Sequence, residues 1–329
     1  MSKVNIHCRR SLGAAAVVLL ALVQPVFAQA PAWPQRPIKL IVPFAAGGNT
    51  DGIARLTAER LSQSLGQTVI VENKAGANGA VAADFVAQSA PDGYTFLMAA
   101  MPVLAILPTI TRTKFDPVRH FAPVSNVGSN PFVMAISSAV PARNVREFVA
   151  YVKKNDGKLN FASGGSGSVS HLSPVLFLKR ANLNMTHVSY KGGGPAVADL
   201  LGGQVQMYFG NLSELAPHAD GGKIRIIAVS SLERAKQLPD VPTLSESGYP
   251  GFKTLTWNGI VAPAGTPPTI INRVAAAVQS AVAKPEFRAR LWQLGVDPIG
   301  DTPAQFSQTL KADIATWAEA AKASNLKIE

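Results

Sequence analysis

From Ile38 to Phe44 the chain is apolar apart from Lys39, which predicts a buried strand. The strand runs into Ala45-Ala46-Gly47-Gly48, and an amphipathic stretch follows. There Ala54, Ala58, Leu61 and Leu65 recur at spacings of four, three and four, so a helix is expected over 51–65, closed by Gly66. Thr68 to Val71 is β-branched or apolar and predicts a second strand. Asn78-Gly79 opens a helix to about Ser89, Pro91-Asp92-Gly93 is a turn, and Tyr94 to Ala99 predicts a third strand. Single helices between strands imply parallel pairing. Residues 102–130 are rich in proline and are read as irregular.

A second alternation starts at Phe132. It has strands at 132–137, 158–163, 185–190, 205–209 and 224–230, and helices at 144–154 and 169–180. Asn144 and Glu147 have the spacing of a capping box, and Pro195 suits the first position of another helix. After the Pro-rich stretch 238–250 come one strand, 256–262, and three helices ending near 283, 294 and 323, with a short strand between the last two. One long strand cannot make a sheet, so this tail is expected to pack on the first half. The expected class is α/β in two lobes, 33–128 with 250–329 and 129–249, joined by crossovers near 125–132 and 248–256.

The N-terminus breaks the pattern. Lys3, Arg9 and Arg10 precede an uncharged apolar run, Leu12 to Val23, and Val26-Phe27-Ala28 supplies small residues where a peptidase would cut. This predicts a cleaved secretory leader, residues 1–28, and a periplasmic destination. The apolar run is shorter than the roughly 20 residues of a membrane span. The leader carries three basic residues and no acid, so its removal takes the formal charge from +11 to +8. It also removes Cys8, the sole cysteine, and with it any disulfide or cysteine metal site. The remaining basic residues are scattered and match no nucleic-acid-binding motif, so no nucleic acid is expected as partner. At 47% hydrophobic and 16% charged, the chain can build its own cores, and a monomer is expected.

The candidate chemistry lies at two glycine-rich turns, each between a strand and a helix. The first is Phe44, Ala45, Ala46, Gly47, Gly48, Asn49, Thr50 and Asp51; the second is Ser163, Gly164, Gly165, Ser166, Gly167 and Ser168. Bare turns at helix starts aim backbone N–H groups at open space and attract anions. In wound sheets such turns lie where ligands bind. Asp51 is expected to cap the first helix and pin the turn, since a carboxylate would repel the anion. His171 is placed near the cleft. Neither turn matches a nucleotide-binding motif, and His120, His171, His187 and His218 lack metal-ligand spacing, so no cofactor and no metal are expected. The alternative is an exported serine hydrolase. Gly164-Gly165-Ser166-Gly167-Ser168 approaches a nucleophile elbow centred on Ser166, with Asp199 and His218 as the acid and base that chain order would require.

Several segments together resemble one family. They are Trp33-Pro-x-Arg-Pro-Ile38, Ile41-Val-Pro-Phe-Ala-Ala-Gly-Gly-x-Thr-Asp51, Leu65-Gly-Gln-x-Val-x-Val-Glu-Asn73, Pro91-Asp-Gly-Tyr-Thr95, Ala162-Ser-Gly-Gly-x-Gly-Ser168 with His171, Val188-x-Tyr-Lys-Gly192, Leu238-Pro-Asp-Val-Pro-Thr243, and Trp257-x-Gly259 with Ala262-Pro263. The chain resembles Bug-type receptors, the periplasmic solute-binding components of tripartite tricarboxylate transporters. The resemblance implies a type II periplasmic binding fold, each lobe a wound, mainly parallel sheet flanked by helices. It also implies a non-catalytic protein whose two turns grip a small organic carboxylate and which delivers it to the transporter's membrane subunits. Met98 to Pro102, including Met101, is more apolar than is usual at the far end of such pockets, which suits an aromatic or other apolar acid over an amino acid; a dicarboxylic acid is a further expectation. Asn211, Trp257 and Asn258 are expected partners there.

Overall fold

The computed structural model describes residues 33–324 apart from Lys191 and Asp220, so the leader lies outside the described residues. Strand β1 (Ile38–Val42) exposes Lys39 alone, and Lys39 pairs with Glu72 on β2 (Val69–Asn73) at 3.1 Å. Helix α1 (Asn49–Leu65) follows β1, and β3 (Thr95–Ala100) completes a parallel trio in the order β2-β1-β3. Period-two alternation sends β3 into two cores: Phe96 and Met98 face one, Leu97 and Ala99 the other. Between β2 and β3 lie a 3-10 turn at Ala77–Gly79 and α2 (Ala80–Ala87).

The Pro-rich stretch read as irregular is ordered. Pro102–Ile106 forms a π-turn that continues into α3 (Leu107–Ile110). Pro102 stands in the first turn of this stretch, where a missing N–H costs nothing. Strand β4 then runs for 17 residues, Phe121–Ser137, through both lobes. Only its last third, 132–137, was legible, because Pro123 and Pro131 argue against a strand. The ladder accommodates the first segment with register shifts near 123–128.

Strand β9 (Leu255–Pro263) returns antiparallel between β3 and β4, and β10 (Asp297–Pro298) edges β4 on the other side. In this first sheet β2, β1, β3 and β4 run one way, and β9 and β10 the other. The second sheet has β5 (Asn160–Ser163), β6 (Thr186–Ser189), β7 (Met207–Asn211) and β8 (Ile224–Val229) running one way and β4 opposed, in the order β8-β4-β7-β5-β6. Here Phe132, Met134 and Ile136 of β4 face one core, and Val133 and Ala135 another. Helices α4 (Val145–Lys154), α5 (Val169–Ala181), α6 (Gly193–Leu201) and α7 (Leu212–Ala219) flank this sheet. Pro195 is the third residue of α6, not the first.

Of the tail helices α8 (Pro268–Ala283), α9 (Pro285–Gln293) and α10 (Pro303–Ala323), the last does more than pack on the first half. It also lies against α5, where Lys179 meets Glu319 at 2.9 Å. At the crossover, Ser230 donates from its backbone N–H to Phe132 O at 2.8 Å and accepts from Thr254 N at 2.9 Å. That ties β8 to both strands that pass between the sheets.

Candidate functional site

The first turn is held from below and open above. Asp51 is 3% exposed. It accepts hydrogen bonds from Gly47 N–H, Arg55 Nε and Asn73 Nδ2, each at 2.9 Å. Asn73 Nδ2 also donates to Phe44 O at 3.0 Å. Burial pushes the Asp51 carboxyl up, but these bonds outweigh it and hold the pKa at about 2. The expected capping role needs correcting. The N-cap is Gly48, with extended backbone and no side-chain cap bond, while Asp51 reaches back past it to Gly47. Asp51 therefore pins the turn without filling the helix end. The first-turn N–H groups of α1, which have no intrahelical acceptor, receive none from the cap. Residues 45–49 are exposed. Asn49 Nδ2 is committed to Leu294 O at 2.8 Å, which leaves its backbone as the open part.

The second turn differs from the first. Its donors are largely used within it: Gly164 N–H reaches Ser170 Oγ at 2.9 Å, Gly165 N–H reaches Ser163 Oγ at 3.1 Å, and Gly167 N–H reaches His171 Nδ1 at 3.1 Å. Ser168 caps α5, its Oγ accepting from His171 N–H at 3.3 Å. Ser166 is the exposed residue at the tip. The sequence suggested two equivalent anion sites, but only the first presents an uncapped helix start.

His171 is buried under the second turn, not in the cleft. Its ring stacks on His187 at 3.8 Å between centroids, and both line a separate groove with Phe161 and Lys179. Burial, with His187 adding to it, pulls the His171 pKa down to about 4; burial also lowers His187. A neutral His171 is what lets Nδ1 accept from Gly167. Met101 is likewise displaced: it is fully buried in the core, and so is Met98. The apolar character of 98–102 therefore says little about the ligand, because only Ala100 and Pro102 of that stretch reach the cleft.

That cleft has a volume of about 240 Å³. Phe44, Asn49 and Thr50 of the first turn line it, with Asn130 and Phe132 of β4, Asn211 and Glu214 at the start of α7, and Thr256, Trp257 and Asn258 of β9. It thus joins the first turn to Asn211, Asn258 and both crossover strands. The second turn is outside the lining but adjoins it. A Cβ on Gly164 would come within 3.2 Å of Gly192, and one on Gly193 within 2.9 Å of Glu214 Oε2. Asn130, Phe132, Thr256 and Glu214 were missed, because their roles depend on where β4, β9 and α7 cross. Trp257 is fixed from behind by Nε1–H donation to Asp313 at 2.6 Å and an edge-on contact with Phe306. Among the described residues no three His, Cys, Asp or Glu side chains are grouped to hold a metal, and no helix is long and apolar enough to cross a membrane.

Residues 53–326 match the family described as tripartite tricarboxylate transporter family receptor. The chain belongs to this receptor family. It is 36% identical over 306 residues to BugT of Bordetella pertussis, covering 90% of this chain and 92% of that protein. Its fold matches the structure of periplasmic binding protein BugD, with 35% identity and a TM-score of 0.70 over 90% of this chain and all of that one. It also matches the R. palustris protein Rpa4515 solved with adipate, with 33% identity and a TM-score of 0.74 over 91% and 100% of the two chains. The receptor is thus a Bug-type, type II periplasmic binding protein and not an enzyme. Its geometry agrees with setting the hydrolase aside. Among the described residues Ser166 Oγ meets only Ser189 Oγ, at 3.5 Å, and Asp199 is engaged by Tyr190 at 2.5 Å; neither is bonded to His218.

Proposed function

We propose that this receptor captures a small organic carboxylate in the cleft between its lobes and delivers it to the membrane subunits of a tripartite tricarboxylate-type transporter. The observation that carries this reading is the uncapped start of α1, which opens on the cleft through Asn49 and Thr50. A carboxylate at that helix end would gain charge-assisted hydrogen bonds of roughly 1.5–3 kcal/mol each. The helix dipole adds about 0.3–1 kcal/mol. The adipate held by Rpa4515 supports a carboxylate as the ligand class. Closure would turn 129–249 against 33–128 and 250–329 about β4 and β9, bringing the exposed Ser166 hydroxyl towards the ligand. Such a hinge motion is driven by contacts that exist only when both lobes touch the ligand.

Calorimetric titration and thermal shift with a panel of mono- and dicarboxylic acids test the reading. A ligand raises the melting temperature as its concentration passes the dissociation constant. The absence of any shift across aliphatic, aromatic and hydroxy acids would refute it. Residues 1–28 are proposed as the export leader, and N-terminal sequencing of protein recovered from the periplasm should begin at Gln29.

A further inference from the structure

The cleft is electrically two-ended. At one end are the open N–H groups of α1. From α7, which packs on the second sheet, comes Glu214, the only charged side chain among the described residues that line it. Glu214 is held in place: Asn211 Nδ2 donates to Oε1 at 3.2 Å, and the buried Tyr208 hydroxyl reaches Oε2 at 3.5 Å. It sits in the first turn of α7, so it already occupies the helix end where a second anion would be favoured. Burial and then the Glu214 charge push the Tyr208 hydroxyl pKa up, which keeps that hydroxyl a donor to the carboxylate. No described cation pairs with Glu214. Two more acceptors belong to lining residues, the buried Oδ1 atoms of Asn130 and Asn258, which have no donor. For Asn130 the assignment of Oδ1 is fixed by Nδ2 donation to Gly295 O at 2.9 Å. Phe44, Phe132 and Pro102 supply apolar wall between the two ends.

We infer that the receptor selects a monocarboxylic acid whose far end carries an ammonium or another N–H or O–H donor, and that Glu214 is the residue that sets this choice. The inference rests on the carboxylate reading above and narrows it. A dianion long enough to span the cleft would place its second carboxylate against Glu214. An ω-amino acid of the same length would place an ammonium there.

Length-matched pairs test this by calorimetry: 4-aminobutanoate against succinate, 6-aminohexanoate against adipate, and 4-(aminomethyl)benzoate against terephthalate, with benzoate and hexanoate as one-ended references. The amino member of at least one pair should bind roughly tenfold or more tightly than its dicarboxylate, the size expected of one charge-assisted contact. Glu214→Gln, an isosteric change at an exposed position, should remove that preference while the ligand-free protein stays folded, with a small loss of melting temperature from the lost charge at the helix start. If the dicarboxylates bind better to the unmodified protein, or if Glu214→Gln leaves the ratio unchanged, the inference is overturned and the carboxylate receptor stands. If none of the eight acids binds and no hydroxy acid of the wider panel does either, the carboxylate reading falls and the inference falls with it.

Discussion

Replacing Asp51 tests whether the first turn is held as described. The side chain accepts from a backbone N–H, an amide and a guanidinium, and it is almost fully buried. Its pKa of about 2, against an ordinary 3.8, corresponds to about 2 kcal/mol of folding stability at neutral pH. Asp51→Asn keeps the shape and removes the charge, so it should lower stability at pH 7 by about that amount. Asp51→Ala should cost at least as much, because Gly47 N–H and Asn73 also lose their acceptor. The sign of the pH dependence follows from the depressed pKa. The contribution is complete above the unfolded value of 3.8 and is lost as pH falls through about 2, with about half gone by pH 3. Urea unfolding from pH 7 to pH 3 should therefore show the gap between the wild type and Asp51→Asn narrowing at the acid end. Arg55→Ala should remove part of this, since the Arg55 bond is the largest of those that lower the Asp51 pKa, and less than Asp51→Asn does, since Gly47 and Asn73 still donate to the carboxylate. Both Asp51 variants should also bind carboxylates more weakly. Equal midpoints for wild type and Asp51→Asn at pH 7, or a gap constant across the pH range, would refute this account.

Three further outcomes are expected. Gly47 has φ +86° and open space where a Cβ would stand, so Gly47→Ala should meet only backbone strain of about 1–2 kcal/mol and weaken carboxylate binding; unchanged affinity would show that the left-handed turn is dispensable. A Cβ on Gly259 would lie 2.4 Å from Phe306 Cζ, so Gly259→Ala should destabilise the protein by about 1–3 kcal/mol in thermal unfolding, with partial rescue by Phe306→Leu. His171 is held neutral by burial and by His187, so NMR should place its midpoint near 4, and the stability that depends on its neutral form should be present above 6.5 and decline as pH falls towards 4; a midpoint near 6.5 would contradict its place beneath the second turn.

Much of this receptor was legible in the chain because its determinants are local. The apolar runs of β1 and β3, the four-three-four spacing in α1, and Gly66 closing that helix at φ +72° all act within a few residues. The bareness of Gly47 and Gly48 was equally plain. What the sequence did not show depends on partners far away in the chain. Whether a glycine-rich turn keeps its N–H groups free is set by where Asp51, Ser163, Ser170 and His171 aim, and the two turns came out differently. Met101 and His171 looked available and are buried, because the packing of the π-turn and of α5 decides which face points inward. Glu214 gave no signal: a glutamate in a helix's first turn is ordinary. It becomes a cleft residue only because β4 crosses between the sheets and brings α7 opposite the start of α1. Local periodicity determines which elements form, whereas the aim of a side chain depends on long-range packing, and it is that aim which makes a site.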